Sequence, residues 1–77
     1  MDLRFIYFRT CRRGVVAEVV FNMRKKEIVD IFLVREEINP KLYKYPNPIP
    51  EEEMKKVRKL VRNHGCRIVD ENWVAIF

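Results

Sequence analysis

At 77 residues, with 48% hydrophobic and 35% charged residues and a formal net charge of +5, the chain holds enough apolar content for one packed core and too little length for two. No apolar run approaches the roughly 20 residues of a membrane span, and Met1-Asp2-Leu3-Arg4 is not followed by a leader-like apolar stretch, so a cytoplasmic, unprocessed chain is expected. The absence of serine excludes a Ser-His-Asp triad, and two cysteines are too few for a disulfide framework or a four-cysteine zinc site.

Leu3 to Thr10 and Val15 to Asn22 are rich in aromatic and β-branched residues and predict two strands of a hairpin. A three-residue loop, Arg12-Arg13-Gly14, suits a type I turn with Gly14 in the left-handed position. That register sets Cys11 opposite Val15, Tyr7 opposite Val19 and Phe5 opposite Phe21. Beyond the basic turn at Arg24-Lys25-Lys26, Glu27 to Arg35 is dense in β-branched residues and lacks a well-placed helix cap, so a third strand is expected over a helix.

Asn39 to Pro50 contains all four prolines. Proline fixes φ and removes a donor, which predicts a stiff, extended connection over Lys44 to Pro50. Pro50, the acidic run Glu51-Glu52-Glu53 and the stop at Gly65 then delimit a helix over Glu51 to His64. Its apolar stripe is Met54, Val57, Leu60 and Val61, and Glu51–Lys55 and Glu52–Lys56 are spaced for ion pairing. If Gly65 is the left-handed stop, Cys66 packs back on Val61. Cys66 to Val69 and Trp73 to Phe77 complete the chain as a closing hairpin. The expectation is a single α+β domain over residues 1–77: two layers, an antiparallel sheet with one helix on one face, in the order β-β-β-α-β-β.

Strand parity assigns Leu3, Phe5, Tyr7, Val15, Ala17, Val19, Phe21, Val29, Ile31 and Leu33 to the face beneath the helix. The opposite face retains Ile6, Phe8, Val20 and Phe32, an apolar surface large enough to predict a homodimer through those four residues. Folding of the closing hairpin or the proline-rich connection over that face is the competing expectation.

Chemistry-bearing patterns are sparse. His64 and Cys66 are close in sequence, but His64 at a helix end is expected to cap carbonyls and not to serve a Cys-His enzyme. No metal-ligand spacing, Gly-rich phosphate loop or paired acid and base is present, so no cofactor, metal or small-molecule ligand is expected. Free thiols are expected at Cys11 and Cys66. The near-exclusive use of Lys, Arg, Glu and Asp for polar surface, with Thr10 as the only threonine, matches proteins from hot environments, where an intracellular disulfide becomes admissible.

A non-enzymatic binding or assembly module, homodimeric and without a membrane partner, is therefore the leading expectation. The alternative is a nucleic-acid-binding module that uses Arg12 and Arg13 in the first loop with Lys55, Lys59 and Arg62 on the helix surface.

Overall fold

A computed structural model describes residues 2–35, 41–44, 49–70 and 73–76, with the backbone alone described for 41–44, 70 and 73–76. The chain is α+β. Its elements are β1 (Leu3–Thr10), β2 (Val15–Asn22), β3 (Glu27–Arg35), β4 (Lys41–Lys44), α1 (Glu51–Asn63), β5 (Ile68–Asp70) and β6 (Trp73–Ile76). The antiparallel sheet runs β3-β2-β1-β6-β4, with β5 also on β1.

The three N-terminal strands and the helix form where the sequence predicts them, but the first hairpin is one residue out of the expected register. Ile6 faces Val19, Phe8 faces Ala17 and Arg9 faces Val16, so the loop holds four residues, Cys11 to Gly14. Thr10 accounts for the difference. Its hydroxyl donates to the Val15 carbonyl at 2.8 Å and accepts the Arg12 N–H at 3.2 Å, a side-chain bridge that closes the loop. Gly14 takes the left-handed conformation, φ 79°, as expected.

A slip of one residue moves every side chain of a strand to the other face. Ile6 and Phe8, expected on the open side as part of a dimer face, are fully buried beneath the helix with Ala17, Val19, Phe21, Met54, Val57 and Val61. Tyr7, expected under the helix, lies on the opposite face, packed with Val16 and Val34. A bulge in the β2–β3 ladder at Val20/Phe21 has a similar effect, bringing Ile28 opposite Phe21 and into contact with the core.

Pro50 precedes α1, and its carbonyl accepts the N–H groups of Glu53 and Met54 at 2.9 and 3.0 Å. The far end is a Schellman ending: Gly65, φ 76°, donates to the Arg62 carbonyl at 3.0 Å and Cys66 to Val61 at 3.1 Å. Cys66 thereby joins Val61 in the core, as the sequence predicts. The helix carries ion pairs other than the expected ones, Glu53–Lys56 at 2.9 Å and Glu51–Arg58 at 2.5 Å.

The C-terminal segments are not a hairpin. β5 and β6 both pair antiparallel with β1, with Thr10 facing Ile68, Arg9 facing Asp70 and Ile6 facing Val74, so they run in the same direction along one edge. β4, inside the stretch expected to be only a connection, pairs with β6 through Lys41–Ile76 to Lys44–Trp73. The proline-containing residues 45–48 and the expected turn residues 71–72 lie outside the described residues.

Candidate nucleic-acid interface

The basic residues singled out in the sequence occupy the loop after β1 and one side of α1. Glu51, Lys55, Arg58 and Arg62 recur at helical spacing and form one stripe, with Lys59 beside it. Gly65 then turns the chain into Arg67. The decisive connection is the Cys11 N–H, which donates to the Arg67 carbonyl at 2.8 Å and ties the Arg12-Arg13 loop to the segment leaving the helix. The backbone of the loop that carries Arg12 and Arg13 thus lies beside that of Arg67, about 55 residues later in the chain.

Two clefts adjoin these residues. One, about 320 Å³, is lined by Arg58, Arg62, Arg67 and Ile68. The other, about 350 Å³, is lined by Arg12, Arg13, Gly14, Val15 and Arg35, with Arg35 delivered from β3 by its pairing with Val15. Arg35 and Arg67 were not among the residues singled out from the sequence. Nothing in their local context distinguishes them, since the site depends on pairings between distant segments.

The acidic first turn of α1 lies at the opposite end of the helix. Arg58 is held by Glu51, Nη1 to Oε1 at 2.5 Å and Nη2 to Oε2 at 3.3 Å, and the guanidinium keeps the Glu51 carboxyl below the usual carboxylate range. On the other flank the Glu53 carboxylate raises the ammonium of Lys56 above its ordinary value through a hydrogen bond. Among the described residues, no carboxylate is paired with Arg12, Arg13, Arg62 or Arg67.

The other candidate sites are rearranged by the fold. Of the four expected dimer-face residues, Val20 and Phe32 stay on the outer face, where Phe32 is 45% exposed, and Phe5, 41% exposed, joins them. The Tyr7 hydroxyl donates to Glu18 Oε2 at 2.6 Å on this face, and burial, reinforced by that hydrogen bond, pushes the phenol pKa up.

His64 Nδ1 lies 2.9 Å from the Leu60 carbonyl, in the capping position, while the Cys66 thiol donates weakly to the His64 backbone carbonyl at 3.8 Å. The thiol thus has the His64 carbonyl, not its imidazole, as hydrogen-bond partner. Cys11 is exposed and Cys66 buried, both as free thiols. Among the described residues no three His, Cys, Asp or Glu side chains gather into a metal-holding group, and no helix is long and apolar enough to cross a membrane.

No family model, curated protein or solved structure matches this chain. Its functional reading therefore rests on the geometry above.

Proposed function

We propose that this chain is a small, non-enzymatic binding module that holds nucleic acid along an arc of positive charge. The arc runs from Lys55 and Lys59 through Arg62 and Arg67 to Arg12, Arg13 and Arg35. The observation that carries the reading is the Cys11–Arg67 backbone hydrogen bond, which sets the basic loop beside the segment that leaves the basic helix. A charged surface spread over several elements suits an extended polyanion better than a compact ligand, and a net charge of +5 favours its approach.

Fluorescence anisotropy with labelled mixed-sequence DNA and RNA, titrated over a salt series, tests this. Contact with about four phosphates gives a slope of log K against log salt near −3 to −4. Arg12→Glu with Arg13→Glu is expected to weaken binding at every salt concentration and flatten the slope. Failure of the parental chain to bind more tightly than about 10⁻⁴ M at low salt removes the proposal.

A homodimer through the outer sheet face is the second reading, favoured by the half-exposed Leu3, Phe5 and Phe32 around Val20. Their exposed apolar surface is on the order of a few hundred Å², the size an ordinary monomer carries. A stable interface buries about 800 Å² on each partner, so this reading ranks below the first. Light scattering that finds a monomer at high concentration rules it out.

A further inference from the structure

We infer that the cleft between the last turns of α1 and β5 is a discrete phosphate seat, in which the guanidinium groups of Arg62 and Arg67 grip a backbone phosphate of the bound strand. The inference rests on the nucleic-acid reading above. It begins with the kind of cation used. Every described cation lining the two clefts is an arginine, although Lys55 and Lys59 belong to the same side of the helix. Guanidinium presents donors in a fixed plane and takes phosphate through two parallel hydrogen bonds, whereas an ammonium is a point charge. General attraction of a polyanion makes no such distinction.

The three arginines of the cleft have different roles. Arg58 is engaged by both oxygens of Glu51 and forms an oriented, neutralised wall. Arg62 and Arg67 have no carboxylate partner among the described residues and supply the unspent charge. Both are attached to backbone that is already fixed. The Arg62 carbonyl accepts the Gly65 N–H at 3.0 Å within the helix ending, and the Arg67 carbonyl accepts the Cys11 N–H at 2.8 Å. Fixed attachment lowers the ordering cost of gripping a ligand. At about 320 Å³, with Ile68 as an apolar wall, the cleft falls at the small end of ligand-sized pockets.

The test is anisotropy with a labelled oligothymidylate of about 20 nucleotides, long enough to cover the arc. It compares the parental chain with Arg62→Lys, Arg67→Lys, Arg62→Ala and, in the β2–β3 turn outside the arc, Lys25→Ala. Arg62 and Arg67 are exposed, and unchanged circular dichroism will show that the variants fold. Each lysine variant is expected to bind about tenfold more weakly with an unchanged salt slope, because charge is kept and the paired hydrogen bonds are lost. Arg62→Ala should also reduce the slope by about 0.7, as one phosphate contact to a single strand disappears. Lys25→Ala, which lines neither cleft, should change affinity no more than about twofold.

Lysine variants that bind within twofold of the parental chain overturn the phosphate seat and leave the general polyanion reading standing. A parental chain that ignores the oligonucleotide at low salt overturns both.

Discussion

Alanine replacements at Ile6 and at Phe5, made separately, place the register of the first hairpin under direct test. The two residues are adjacent in β1 and point to opposite faces. Ile6 is fully buried against Val19 and the helix, whereas Phe5 is 41% exposed on the outer face opposite Val20. Truncating Ile6 removes buried methyl groups and leaves a closed cavity, which costs about 2–5 kcal/mol. Truncating Phe5 loses a larger side chain, but part of its surface is already in water and solvent can enter the gap, so about 1 kcal/mol is expected. A chain of 77 residues has a total stability of about 4–11 kcal/mol, so the first variant should lie close to unfolding and the second well within the folded range. Urea unfolding followed by circular dichroism, with the slope of the transition checked for constancy, measures both. Equal losses, or a greater loss at Phe5, would refute the four-residue loop and restore the three-residue one.

Three further outcomes follow from particular contacts. The Tyr7 phenol titrates near 10.0 when free and higher in the folded chain, so the unfolded state loses its proton first. Its stabilisation is complete below about pH 10 and falls as pH rises beyond it, by at most about 1.4 kcal/mol per pH unit; Tyr7→Phe should flatten this alkaline decline in urea titrations. Gly14→Ala meets no atom within 4 Å but places a Cβ at φ 79°, so a purely conformational cost of about 1 kcal/mol is expected in thermal unfolding. A larger loss would show that the loop is packed. Asp30 on border strand β3 accepts the Ile31 N–H at 2.9 Å beside the bulge, a device that blunts a sheet edge. Asp30→Val should increase self-association in sedimentation velocity, and an unchanged monomer would show that the edge needs no such guard.

The elements were legible wherever local chemistry decides them. Pro50, the three glutamates and Gly65 bound the helix because each acts within one turn, and Gly14 marks its turn because few other residues tolerate that φ. Strand faces were less legible, since one hydroxyl at Thr10 is enough to lengthen the loop and exchange Tyr7 for Ile6 beneath the helix. β4 was hidden because Lys41 to Lys44 lies in a proline-rich stretch and pairs with residues about 30 positions later. The basic residues were visible as types but not as a site. Arg12, Arg13 and Arg62 could be named from the sequence, whereas Arg35 enters through strand pairing and Arg67 through its carbonyl's bond to Cys11.

The same departure that misleads a reading of strand parity also shapes the arginine loop. In the expected hairpin Cys11 pairs with Val15, and its backbone belongs to the ladder between β1 and β2. In the folded chain that ladder ends at Arg9–Val16, the Thr10 hydroxyl closes the loop, and the Cys11 N–H turns to the segment leaving the helix. A backbone N–H released from the ladder takes another acceptor, and the Arg67 carbonyl supplies it at 2.8 Å. The backbone of the arginine loop is consequently joined to the segment that carries Arg67 out of the helix. Thr10→Val keeps the shape of the side chain while removing both hydroxyl bonds. If the bridge sets the loop, this variant should lose about 1–3 kcal/mol of stability and also weaken nucleic-acid binding, although residue 10 is buried and outside both clefts. Loss of stability with unchanged binding would show that the arginine arc assembles without the loop geometry that Thr10 imposes.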